Sequence, residues 1–160
     1  MDTYRFIRKM PVFKHCSVKE RKLLAKLNKF LVTFKKGDFI IKQGFKSRTA
    51  LPLYIIVNGS VLIKKRGVIK PLATLKAGST FGEMSFLSKH PRTTNVIANE
   101  EVLVIKMNNH FFSAIPKNLK DKIKDYLIEV LIERLNNMNE SFGKISNKEF
   151  STKDRKKWFK

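Results

Sequence analysis

The chain has 160 residues, enough to bury one core of ordinary size, and its 34 lysines and arginines against 13 acids give a formal charge of +21. Cys16 is the only cysteine, which excludes an internal disulfide and fits a reducing compartment. No apolar run reaches the length of a signal-peptide core or a membrane span, so a cytoplasmic protein is expected.

Residues 1–30 read as helical. Ser17 with Glu20 three positions on forms a capping-box pair, and Leu23, Leu24, Leu27 and Phe30 follow at helical spacing. From 31 to 106 the texture changes to short β-prone runs broken by glycine and polar turns. Strands are predicted over 31–34, 39–42, 53–57, 60–64, 69–75, 93–99 and 102–106. Short strands at even spacing, without long helices between them, predict a mainly β fold with flanking helices. An antiparallel jelly-roll barrel is preferred to a doubly wound sheet.

After Lys106 the helical period returns. Asn108 or Asn109 caps a short helix through Ile115, and Pro116 opens a longer one reaching about Phe142. Leu119, Ile123, Tyr126, Leu127 and Val130 share one broad face. Ile128, Leu131, Leu135, Met138 and Phe142 recur at spacings of three and four, the register of a coiled-coil seam. Two outcomes stay open for the second set: a homodimer through helix 116–142, or a cover for the chain's own barrel. Gly143 is expected to end the helix. The predicted organisation is a single domain over 1–142 (helical 1–30, β 31–106, helical 107–142) and a basic flexible tail over 143–160.

The residues that carry function lie in FGEMSFLSKHPRTTNV, 81–96, where a Gly-Glu pair opens a short apolar turn and Arg92 sits nine residues after Glu83. This stretch resembles the phosphate-binding cassette of cyclic nucleotide-binding domains, as in protein kinase A regulatory subunits, the catabolite activator protein and cyclic-nucleotide-gated channels. The likeness extends over roughly 6–142. FKKGDFIIKQG resembles the early strand pair, LYIIVNGSVLI the central strands, LKAGSTFGEMSFL the run into the cassette, and EVLVIKMNNHFF the last strand and hinge helix. The resemblance implies a hinge and a long helix after the barrel, and a sensor of cAMP or cGMP with no other cofactor.

A cyclic nucleotide presents a singly charged phosphate, a ribose 2′-hydroxyl and a flat base. Arg92 supplies a planar fork for two phosphate oxygens. The backbone N–H groups of Met84 and Ser85, in the first turn of a short helix, add donors. Glu83 accepts from the 2′-hydroxyl, and Gly82 lets the backbone come close to the sugar. The resemblance assigns Glu83 to the ribose and Arg92 to the phosphate, with Ser85 at the family's small-residue position. Thr93 offers a hydroxyl to the phosphate or to a syn base, while Ile63, Leu72 and Ala73 line the base side. Trp158, Phe159 or Phe142 would cap the purine by stacking, against a loose tail as the plainer reading.

Two residues depart from the family pattern. Leu51 and Pro52 stand where many members hold a carboxylate that buttresses the phosphate arginine. Phe86 replaces a smaller aliphatic residue and is expected to pack on Phe112 or Ile115 of the hinge helix.

No catalytic constellation is visible. GSTFG lacks the following Lys-Ser/Thr of an NTPase phosphate loop, and His15, His90 and His110 are scattered without metal spacing. Cys16 beside His15 reads as a small buried residue at a helix start rather than an activated thiol. The resemblance implies a non-enzymatic sensor that moves its C-terminal helix and signals to a partner, for which an acidic surface is one reading. The lysine excess, with only eight arginines, fits either an AT-rich genome or such a partner. The rival readings are a ligand-free scaffold of the same fold, and non-specific nucleic-acid binding through the basic surface. Sequence-specific DNA reading is not expected, since the chain ends about eighteen residues after Phe142, without a helix-turn-helix module.

Overall fold

The computed structural model describes residues 3–153, with side chains over 3–144. The chain divides into two compact units, Met1–Ile123 and Lys124–Lys160.

The first unit begins with helices α1 (Thr3–Lys9) and α2 (Val18–Ala25), separated by a 3₁₀ turn at Pro11–Phe13. The predicted capping box starts α2. Ser17 accepts from the Glu20 backbone, and the Glu20 carboxylate accepts from the Ser17 N–H at 2.7 Å. Glu20 also receives Lys122 at 2.8 Å, joining α2 to the first turns of the long helix α5 (Lys117–Lys153).

Eight strands follow: β1 (Leu31–Phe34), β2 (Phe39–Ile41), β3 (Leu53–Asn58), β4 (Ser60–Lys64), β5 (Ala73–Lys76), β6 (Thr80–Phe81), β7 (Asn95–Ala98) and β8 (Val102–Met107). They form two antiparallel four-stranded sheets in the orders β1-β8-β3-β6 and β2-β7-β4-β5, the jelly-roll arrangement. The expected antiparallel β architecture is present, but the two sheets stay separate, so the barrel is not closed.

Alternation along the strands divides the burial. Ile41, Tyr54, Ile56, Val61, Phe81, Val96 and Val104 fill the space between the sheets. The opposite face of β3 and β8 meets α1, where Ile7 and Met10 gather around Leu31, Val57 and Ile105. Because β3 is buried on both faces, Leu53–Val57 reads as an unbroken apolar run. Each such side chain contributes about 1.5–3 kcal/mol on leaving water.

The structure departs from the sequence expectation in four places. The two-residue strand β6 (Thr80–Phe81) is not among the predicted strands, being too short to show an alternation. The strand predicted over 69–75 is a loop until Leu72, with the turn closed by Val68 N–H to the Lys65 carbonyl. Charge and Pro71 keep that segment out of the sheet. The strand predicted over 93–99 starts at Asn95, because Arg92 exchanges backbone bonds with the 44–45 loop instead. Finally, α5 runs through Gly143 to Lys153, since one exposed glycine costs a helix only about 1 kcal/mol.

In the second unit α5 continues from Lys124. Ile128, Leu135, Met138 and Phe142 are at least half exposed there, as is Ile132, while Leu131 is partly buried. Trp158 and Phe159, suggested as purine caps, lie outside the described residues.

Candidate functional site

The cassette begins where β6 ends. Gly82 takes φ +83°, the left-handed region, and caps helix α3 (Glu83–Ser88). Position 82 admits only glycine on two counts. A side chain would strain that φ, and a Cβ would lie 2.8 Å from Arg92 Nη1 and 3.1 Å from the Pro52 carbonyl oxygen. The tight turn therefore places Arg92 directly against the backbone that precedes α3.

Arg92 is 5% exposed. Its Nη1 donates to the Gly82 carbonyl at 2.9 Å and its Nη2 to the Pro52 carbonyl at 2.6 Å. Its own backbone is pinned on both sides, donating to the Phe45 carbonyl at 3.0 Å and accepting from Gly44 N–H at 2.8 Å. Burial pulls the guanidinium down from the ordinary arginine range, while Tyr54 and Glu83 act in the opposite sense. A buried cation held by neutral carbonyls has strong attraction left for an anion, and a guanidinium has five N–H donors, more than these two bonds use.

Glu83 and Ser85, on the first turn of α3, are buried at 4% and 3% exposure. Ser85 Oγ donates to the Pro91 carbonyl at 3.3 Å, tying the start of α3 to the loop that carries Arg92. Met84 faces outward, half exposed. Its amide and that of Ser85 lie in the first turn, where a helix has no carbonyl of its own to offer. Thr93 is exposed beside Arg92. The structure thus brings Gly82, Glu83, Ser85 and Arg92 into one cluster.

On the second sheet Ile63 pairs with Ala73, and Leu72 N–H donates to the Ile63 carbonyl at 2.8 Å. The three residues expected on the base side therefore lie side by side on the β4–β5 hairpin, with Leu72 half exposed.

Leu51, at the position of the missing carboxylate, is buried. The orienting contact comes instead from the carbonyl of Pro52. Sequence reasoning missed this group because a backbone oxygen leaves no side-chain signature. It also missed Tyr54, stacked on Phe81 with ring centroids 5.1 Å apart. Burial pushes the Tyr54 phenol up, with Arg92 opposing. Tyr54, Leu51, Phe45 and Arg92 border a recess of about 230 Å³, lined from the β2 side rather than by α3.

From the cassette an aromatic path leads to α4 (Asn109–Ser113). Phe86 stacks on Phe112 at 5.0 Å, Phe112 meets Phe111 edge-on at 5.5 Å, and Phe111 meets Phe30 at 5.2 Å. Asn108 caps α4 by accepting from Phe111 N–H at 3.0 Å.

Elsewhere the chemistry is quiet. Burial pushes the Cys16 thiol up, away from the reactive thiolate, with Glu20 adding to the effect. Among the described residues no group of His, Cys, Asp and Glu is arranged to hold a metal, and no helix is long and apolar enough to cross a membrane.

Comparison with known proteins gives a consistent neighbourhood. The family model described as "Cyclic nucleotide-binding domain" matches residues 31–118. A cAMP-dependent protein kinase regulatory subunit of Emericella nidulans is 31% identical over 109 residues, 67% of this chain and 25% of that protein. A cGMP-dependent protein kinase of Toxoplasma gondii is 38% identical over 93 residues, 58% of this chain and 9% of that protein. The chain therefore spans a quarter or less of the length of these relatives. Among solved structures, the regulatory domain of Toxoplasma gondii PKA with cAMP superposes at a TM-score of 0.63 and 25% identity, covering 82% of this chain and 49% of that one.

Proposed function

Because the chain belongs to the cyclic nucleotide-binding domain family, we propose that it is a non-catalytic sensor that binds cAMP or cGMP and passes the binding event to a protein partner. Arg92 pairs with the cyclic phosphate, assisted by the amides of Met84 and Ser85. Glu83 accepts the ribose 2′-hydroxyl beneath Gly82. Thr93 reaches the phosphate or a syn purine, and Ile63, Leu72 and Ala73 flank the base.

The observation that carries this reading is the burial of Arg92, whose guanidinium is held by two neutral carbonyls. Desolvation of a buried cation costs several kcal/mol, which the two carbonyls and the nearby Glu83 carboxylate offset only in part. An arriving phosphate offsets that cost. The cassette then tightens around the anion, and Phe86 carries its displacement to Phe112 on α4. The ligand shifts the two packings only by its differential affinity for them. The apolar positions Ile128, Leu135 and Phe142, spaced by sevens on α5, give this sensor a surface for pairing with a second copy.

A thermal-shift series with cAMP, cGMP and linear AMP tests the reading. At a hundredfold excess over its dissociation constant, a ligand adds about 2.7 kcal/mol, which raises the melting temperature by about 5 °C or more. Stabilisation by a cyclic nucleotide and not by AMP is the expected result. No response to either cyclic nucleotide would favour the second reading, a ligand-free scaffold, for which the buried Leu51 in place of a buttressing carboxylate is the specific observation.

A further inference from the structure

The β4–β5 connection carries a feature that nucleotide binding does not use. Residues 64–70 read KKRGVIK, with four cations, and no acidic residue occurs between Asp38 and Glu83. Ile69 is 97% exposed and Val68 43% exposed. Single exposed aliphatics are ordinary, but two adjacent ones at the tip of a hairpin, ringed by cations, are not.

The tip is also held in shape. Gly67 takes φ +79°, Val68 N–H closes the turn on the Lys65 carbonyl at 3.1 Å, and Leu72 N–H donates to the Ile63 carbonyl at 2.8 Å. Gln43 Oε1 accepts from the Arg66 backbone at 2.9 Å, bracing the hairpin against the neighbouring loop. That loop adds Phe45, which is 58% exposed, together with Lys46 and Arg48. A braced turn presents its apolar tip without first having to order it.

We infer that this hairpin docks on an anionic lipid surface, with Val68 and Ile69 entering the headgroup–acyl boundary while Lys64, Lys65, Arg66 and Lys70 meet the lipid phosphates and carboxylates. The shape selects this partner. Nucleic acid would use the cations and could stack a base on Phe45 of the neighbouring loop, but it has no place for the protruding aliphatic pair at the tip. An acidic protein would be met by a convex tip rather than a groove. A bilayer offers negative charge at its surface and hydrocarbon just beneath it, in the order in which the hairpin presents its cations and its tip.

The test is co-sedimentation of the full chain with phosphatidylcholine vesicles, with and without phosphatidylserine. Binding to the phosphatidylserine vesicles alone is expected. A chain this basic also adheres through diffuse charge, so the deciding variant leaves the charge unchanged. Val68→Ser with Ile69→Ser lowers partitioning at least tenfold at an unaltered melting temperature, whereas Val18→Ser, an exposed aliphatic on α2, changes nothing. Replacing Lys65 or Lys70 by Gln costs about fivefold each. With Trp158→Phe as background, Ile69→Trp blue-shifts on vesicles and is quenched by brominated acyl chains. The proposal is overturned if the double serine variant partitions like the wild type, if the tryptophan at the tip stays in water, or if no vesicle is bound. It is equally overturned if the tip proves necessary for binding RNA or an acidic peptide but not vesicles.

Discussion

Arg92 and Pro52, forty residues apart, meet through a 2.6 Å hydrogen bond from the guanidinium to the backbone carbonyl. A charged donor to a carbonyl is roughly twice as strong as a neutral pair, and here it fixes the plane of the fork. The second anchor, the Gly82 carbonyl at 2.9 Å, belongs to the turn that starts the cassette. Orientation of the arginine is therefore written into the backbone on both sides. Arg92→Ala should lower cyclic-nucleotide affinity by about 3 kcal/mol or more, over a hundredfold, because it removes one partner of a buried charge pair. Calorimetry with unchanged affinity would sink the assignment.

Gly82→Ala tests the same geometry from the other direction. The added methyl meets Arg92 Nη1 at 2.8 Å and must displace the guanidinium or the Pro52 carbonyl. Affinity should fall at least tenfold. The melting temperature without ligand should fall as well, by about 4 °C, for 1 kcal/mol or more of backbone strain. Affinity falling without any loss of stability would show that the turn is softer than its φ suggests.

How much of this was legible beforehand depends on the kind of group. Gly82, Glu83 and Arg92 stand out in the sequence through the resemblance of residues 81–96 to the family's cassette, and the structure places them together. The jelly-roll strands were visible because alternation and glycine turns punctuate them. Pro52 was not, since its contribution is a carbonyl that any residue would supply. Residues 69–72 read as strand because Ile69 and Leu72 extend the apolar pattern of 73–75, yet Lys70 and Pro71 between them outweigh propensity. The continuation of α5 past Gly143 was hidden for a related reason: glycine is only a weak stop when no turn closes after it. Phe86 meeting Phe112 was anticipated, but the onward contacts through Phe111 to Phe30 involve residues too far apart in sequence to pair by pattern.

The phenylalanine pair makes a separate prediction about transmission. Phe86→Ala removes the stacked contact with Phe112 but keeps the backbone bond from residue 86 N–H to the Gly82 carbonyl. Nucleotide affinity should change by less than about fivefold, because the lost aromatic contact is worth roughly 1 kcal/mol. The ligand-induced change in amide exchange at α4 should disappear. Exchange at α4 that still responds fully to cAMP or cGMP would rule out this contact as the route.

Acid sensitivity should centre on Glu20. Its hydrogen bond with Lys122 holds the carboxyl below the usual carboxylate range, with the Ser17 contacts acting in the same direction and burial opposing. A depressed folded value means that the stabilisation is complete above the unfolded carboxylate pKa, about 4.3, and is lost as pH falls below it through the folded value. Glu20→Gln should lower the melting temperature by about 3 °C at neutral pH and flatten the decline on the acid side. Circular dichroism melts at stepped pH read both effects, and parallel curves for the two proteins would remove Glu20 from the account.

The stripe on α5 bears on whether the chain pairs with a second copy. Ile128, Leu135 and Phe142 recur at seven-residue intervals, each at least half exposed, with Met138 beside them. Two heptads on an isolated helix associate weakly, but a helix already formed, as α5 is, needs less ordering on association. A dimer through this face should appear in light scattering at micromolar concentration. Leu135→Asp should abolish it, since it buries an unpaired carboxylate in the middle of the seam. A strictly monomeric wild-type chain at every accessible concentration would instead leave the face for a different partner.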